Sequence, residues 1–184
     1  MPTRLSEAIK QDHRRIEQAY RYTLTASTQE DKLRWRNELA LELARHCISE
    51  EQILLPALKV KLFDGPSRCD KNHTDRMSLK EKICKLKAIP VDDPSFEAEL
   101  KSLWVDMAAH VRDTDHQDMV RLEECLSITE SEQLAEEFRN TMFFAPTRSN
   151  PSASHGPPAK LITDFLATKE GTITNMDPIV GGTQ

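Results

Sequence analysis

The four cysteines of this chain include no Cys-x-x-C pair, so a zinc knuckle or a thioredoxin-type motif is excluded. They read as reduced, mostly buried thiols. No stretch approaches the roughly 18 consecutive apolar residues that a spanning helix needs. The first twenty residues lack the apolar core of a secretory signal, and a cytoplasmic protein is expected. No excess of basic residues exists: the net charge is -5 and the sequence pI about 5.7. That balance gives no electrostatic footprint for nucleic acid and no basic membrane patch. No internal repeat and no strand alternation stands out. Only 5 glycines in 184 residues, with 38% hydrophobic and 30% charged residues, fit a helical protein with strongly solvated outer faces.

Apolar periodicity defines the helices. The first is expected over residues 6–24, where Leu5, Ile9, Ile16 and Tyr20 mark one face and His13 falls in line with them. The second, residues 29–62, carries the stripe Trp35, Leu39, Leu43, His46, Glu50, Ile53 and Ala57, with Pro56 an interior irregularity. The third, residues 68–87, offers two competing lines: His73, Met77 and Cys84, or Arg76, Leu79, Ile83 and Leu86. The fourth, residues 95–126, runs through Leu100, Leu103, Met107 and His110, then Met119, Leu122 and Leu126. A shorter helix over residues 130–143 opens with Thr129 and Glu132, which resemble a capping box. Residues 1–144 therefore read as an all-α, antiparallel up-down-up-down four-helix bundle with a short fifth helix. Residues 145–184 read as a Pro/Ser-rich extended tail packed along the outside, with one short helix over 160–168.

Apolar stripes normally exclude groups that need hydrogen-bond partners. Here four histidines, His13, His46, His73 and His110, fall one per helix on the expected inner faces, and Glu50 and Asp115 follow two of them. Their economical explanation is a shared metal centre. Any one such histidine alone is more often a hydrogen-bonded core residue; four in register are not. His46 and Glu50, four apart, share a helix face. His110 and Asp115, five apart, are about 140° from alignment on an ideal helix and need either a long aspartate reach or a local wide turn. Imidazole with carboxylate suits iron, and also zinc or manganese. Two carboxylates from opposite helices can bridge two ions, with the histidines as terminal ligands and about two positions left open in octahedral shells. Glu51 and Asp113 are weaker competitors for the acid positions. Asp12 either orients an imidazole or lies exposed on the outer face. His116 and His155 read as surface residues, Met77, Met107 and Met119 as core fill, and Trp35 and Trp104 as bundle-end packing.

The order His, His-x-x-x-Glu, His, His-x-x-x-x-Asp over four helices resembles the hemerythrin family, including its HHE members. The stretches KQDHRRIEQAY, LARHCISEEQILLPAL and AAHVRDTDHQDMVRLEE carry the resemblance, which covers about residues 5 to 126. The segment FAPTRSNPSA is similar to tails of fungal members. The resemblance implies a non-haem di-iron centre that binds or reacts with dioxygen or another small ligand. His13, His46, His73 and His110 would be terminal ligands, with Glu50 and Asp115 as bridges. Met77 stands where oxygen carriers have a further histidine, which favours redox turnover or loose metal occupancy over reversible storage. Two alternatives follow. One is an oxygen-activating iron oxidoreductase on a small organic substrate, which requires a cavity beside Met77 and His73. The other is a metal-depleted helical interaction module.

Overall fold

The computed structural model describes residues 3–143; the expected tail and its short helix lie outside them. The described chain forms helices α1 (Leu5–Thr25), α2 (Gln29–Ser49), α3 (Leu55–Lys61), α4 (Gly65–Ala88), α5 (Phe96–Asp113), α6 (Met119–Cys125) and α7 (Ile128–Phe143). A single π-helical turn, Glu50–Leu54, joins α2 to α3, and a second, Thr114–Asp118, joins α5 to α6. The second and fourth predicted helices are thus continuous rods, each with one wide turn. The widening is explicit in the backbone: Leu55 N–H donates to the Glu50 carbonyl and Met119 N–H to the Thr114 carbonyl, five residues back in each case. Pro56, which has no N–H to give, sits at the start of α3 directly after the first wide turn. The second turn has no proline.

Side-chain caps begin two of the helices, α2 and α7. Thr28 accepts from Asp31 N–H at 3.0 Å to begin α2. At α7 the capping box is Ser127 with Glu130, not Thr129 with Glu132: Glu130 N–H donates to Ser127 Oγ at 3.2 Å, and Ser127 N–H donates to Glu130 Oε2 at 2.9 Å. The helix starts two residues earlier than the periodicity predicts because Ser127 supplies the first good cap.

Two apolar clusters reveal the helix directions. One joins the late part of α1 (Ile16, Ala19), the early part of α2 (Leu39, Leu43), late α4 (Leu79, Ile83) and early α5 (Leu103, Met107). The other joins early α1 (Leu5, Ile9), Leu54 and Leu58 of the second rod, and Met119 and Leu122 of the fourth, with Cys69 of early α4 packed against it. Only rods that alternate in direction can meet this way. The bundle is held at both ends by aliphatic burial, worth roughly 1.5–3 kcal/mol per fully buried side chain. Helix α7 adds Ala135 and Phe138 to the second cluster and packs along α1, α2 and the first wide turn. Trp104 stacks on Tyr20 with ring centres 4.5 Å apart, against the first cluster. Between the two apolar ends lies a layer of buried polar side chains.

Candidate metal centre

His13 occupies the α1 face between Ile9 of one cluster and Ile16 of the other. His46 and Glu50 lie between Leu43 and Leu54 on the second rod, and His110 lies between Met107 and Met119 on the fourth. Their exposures are 4%, 0%, 0% and 2%. One ligand atom from each of these four residues lies within 4.8 Å of every other. His46 Nε2 is 3.2 Å from His110 Nε2 and 3.4 Å from Glu50 Oε1, and His110 Nε2 is 3.2 Å from Glu50 Oε2. Despite these separations, neither Glu50 oxygen has a properly directed hydrogen bond, and His13 Nε2 has none. The distances alone count as ion pairs; the directions are decisive, because a hydrogen bond fails steeply off axis. Three of the converging atoms, His13 Nε2 and the two Glu50 oxygens, are therefore left as the ligands of a cation are, while His46 Nε2 and His110 Nε2 have only each other within bonding geometry. Each buried orphan costs on the order of 1–3 kcal/mol without a partner, and a cation at their centre supplies that partner.

The outer nitrogens are fixed separately. His46 Nδ1 meets Asp12 Oδ2 at 2.8 Å, and His13 Nδ1 meets Asp115 Oδ1 at 3.0 Å. Each carboxylate is placed to accept a hydrogen bond from Nδ1–H, the tautomer that leaves the Nε2 lone pair facing the centre. The Thr114–Asp118 wide turn sets the phase of Asp115, five residues from His110 and facing His13 across the bundle. Asp12 is fully buried and accepts also from Arg15 at 3.1 Å, which settles its two sequence alternatives in favour of the orienting one.

Burial pushes the Glu50 carboxyl up, but the facing imidazoles of His110, His46 and His13 outweigh it and hold the group well below the ordinary carboxylate range. Burial pushes His46 down, and the charges of Glu50 and Asp12 more than reverse it, so its pKa is raised. For His13 burial dominates the Asp115 hydrogen bond, and the pKa is lowered. The site thus has one ionised acid facing imidazoles of unequal basicity.

The structure does not bring every expected residue to this point. His73 is exposed on α4, and Met77 is 50% exposed rather than core fill. The inward line of α4 is the other one: Arg76, Leu79, Ile83 and Leu86, continued by Asn72. Three branched aliphatic side chains gain more from burial than a histidine, a methionine and a cysteine, and they set the rotation of the helix. Asp115 holds His13 instead of joining the four converging donors. Asp113 pairs with Lys71 at 2.6 Å, and Glu51 and His116 are exposed. His155 lies outside the described residues. Cys47 is buried beside His46, and burial pushes its thiol up, so it is inert there. Sequence reasoning missed Arg76 as a member of the polar layer. Its only signal was position, a charged residue on the more aliphatic of two lines.

The hemerythrin HHE cation binding domain matches residues 4–122. The chain belongs to the hemerythrin HHE family. Among relatives of this hemerythrin-family chain is an uncharacterized hemerythrin-like protein of Schizosaccharomyces pombe, 30% identical over 175 residues, which span 95% of this chain and 86% of that protein. A DNA nickase of a Nostoc species is 22% identical over 135 residues, 73% of this chain but only 38% of the nickase. Among solved structures, a hemerythrin HHE cation binding domain-containing protein from Mycobacterium kansasii superposes with a TM-score of 0.70 at 19% identity, covering 89% of this chain and 99% of that one. That likeness shows the shared hemerythrin fold. In this hemerythrin bundle, the polar layer just described is the buried His/Glu cluster suited to a cation.

Proposed function

We propose that the protein is a non-haem iron protein that binds or reacts with dioxygen. The observation that carries this reading is the converging set His13, His46, Glu50 and His110, in which His13 Nε2 and both Glu50 oxygens are buried without a partner. Three imidazoles and one carboxylate suit iron, with zinc and manganese as competitors, and four donors leave about two octahedral positions open. Iron held there would supply the electrons for reaction with a small oxidant. The chain's own residues do the rest. Asp12 and Asp115 orient His46 and His13, Glu50 stays ionised to face the cation's charge, and the two apolar clusters keep water out.

A void within the first apolar cluster, walled by Tyr20, Leu39, Leu103 and Trp104 with Ile16, Leu43 and Met107, measures about 10 Å³. That is the scale of one water molecule. We read the site as one for binding, sensing or simple redox chemistry, with an oxidase or oxygenase as the second reading. Glu50, with both oxygens unpartnered, is suited to bridge a pair of ions. A second ion, as the six-ligand expectation of His13, His46, Glu50, His73, His110 and Asp115 requires, needs more. Asp115 must leave His13, and a donor must replace the outward His73. The geometry supports the first ion more strongly than the second.

The test is to express the full chain with iron under low oxygen, measure metal per chain, and record the absorption spectrum as air is admitted. One or two irons per chain with an air-dependent absorption change support the proposal. A folded protein that takes up no iron overturns it and leaves the interaction module.

A further inference from the structure

The second apolar cluster is open on its outer side. Helix α7 packs closely on α1, α2 and the first wide turn, but it stands off from α3. The gap is a groove of about 310 Å³, lined along its length by Ile53, Pro56, Ala57 and Leu134. Ile53, Ala57 and Leu134 pack against the cluster and are only partly buried, and Val60, toward one end, is 79% exposed. The two walls run antiparallel. Lys61 Nζ donates to Glu130 Oε1 at 2.6 Å across the lower end, and Gln52 and Glu137 stand at the upper end. At about 1.5 Å per residue, the walls are roughly 10 Å long on α7 and 13 Å on the second rod. Gln52 and Ile53 belong to the wide turn that begins at Glu50.

A contiguous apolar groove of this size on a surface marks a docking site. The chain carries a matching occupant outside the described residues. In residues 160–168, KLITDFLAT, helical spacing puts Leu161, Ile162, Phe165 and Leu166 within about 140° of one another and leaves Lys160, Thr163 and Asp164 on the opposite side. Nine residues of helix span about 13 Å, the length of the groove. The tether fits too. Helix α7 ends at Phe143, about 9 Å beyond Glu137, and residues 144–159 connect it to Lys160. A tether of that length covers roughly 20–24 Å on average, enough to turn back and enter at the upper end. Entry there sets Lys160 beside Glu137, and the C-terminal end of the segment beside Lys61, so opposite charges meet at both ends. We propose that residues 160–168 dock as a helix in the α3–α7 groove of their own chain. Tethering raises the local concentration of the segment, so a small apolar contact suffices to hold it. The docked segment braces the first wide turn from outside. This inference is independent of what the polar layer binds.

The experiment is amide hydrogen exchange read by mass spectrometry on the full chain, at several protein concentrations, for the wild type, Phe165→Asp and Val60→Asp. Phe165 lies outside the described bundle and Val60 is exposed, so circular dichroism should show unchanged helix folding in the bundle. An aspartate at position 60 puts negative charge at the C-terminal end of the docked helix, where it is unfavourable. In the wild type, residues 161–168 should exchange at least about tenfold more slowly than a free chain, and both variants should remove most of that protection. Phe165→Asp should also speed exchange in residues 52–61 and 130–137 about three- to tenfold, with α5 unchanged. If Val60→Asp unfolds, Phe165→Asp alone carries the comparison. Exchange of residues 161–168 at free-chain rates in the wild type overturns the proposal. Groove exchange unmoved by Phe165→Asp overturns it as well, because the segment then docks elsewhere. Protection that rises with protein concentration, alongside dimer in sedimentation, gives the groove to a second copy and overturns it equally.

Discussion

His46 Nδ1 lies 2.8 Å from Asp12 Oδ2 with both side chains fully buried, so an aspartate on the first helix decides which nitrogen of a second-helix histidine faces the polar layer. An asparagine there keeps the shape but loses the charge that fixes the tautomer. Asp12→Asn should lower metal affinity about 10- to 100-fold, measured by chelator competition, with helix content retained. Unchanged affinity would show that His46 is oriented by packing alone.

Glu50 is the acid of the converging set, and its substitution separates ligation from folding. Glu50→Ala should abolish stoichiometric metal binding, read as metal per chain after dialysis. Far-ultraviolet circular dichroism should stay helical, because the apolar clusters on either side hold the rods. Full metal content in this variant would remove Glu50 from the site.

His73 provides the opposite control. It is exposed on α4, so His73→Ala should leave metal per chain unchanged and shift stability by no more than about 0.5 kcal/mol in urea unfolding. A loss of metal would mean that α4 rotates when the ion binds.

Glu123 supplies an acid-sensitive latch between helix ends. Its carboxylate accepts from Ser6 N–H at 3.0 Å, Ser131 Oγ–H at 2.9 Å and Arg4 at 2.6 Å, joining α6 to the start of α1 and to α7. Burial pushes its pKa up, but these donors outweigh it and the pKa is lowered. A carboxyl lowered on folding contributes stability that is complete above its unfolded value near 4.5 and is lost as pH falls toward the folded value. Hydrogen exchange at the Ser6 amide should therefore accelerate below about pH 4.5. In Glu123→Gln this acid step should disappear, with exchange already faster at neutral pH.

The rods and all four converging residues were legible because strong periodicities agree over many turns. Ile9, His13 and Ile16 share one face of α1, and Leu43, His46 and Glu50 share one face of α2, whatever the bundle geometry. Asp115 was legible only as a conditional statement: five residues after His110, it required a long reach or a wide turn, and a wide turn is present. The equivalent turn after Glu50 carried no comparable signal beyond Pro56. Helix α4 misled because its two lines differ by one residue in phase. The resemblance favoured the histidine, whereas burial free energy favoured Leu79, Ile83 and Leu86. Asp12 was evenly balanced because a short acid beside a histidine reads the same whether it faces inward or outward.

The two wide turns lie one in each of the second and fourth rods, between the donor layer and the lower apolar cluster. Each resets the angular register of the residues that follow it. The lower half of the molecule is therefore geared to the upper half through two single-residue offsets, and deleting one residue from either turn would spin its lower segment by about 100°. Chain length in these two places is as strictly specified as the identity of any ligand, whereas the loop before α2 has no comparable burden.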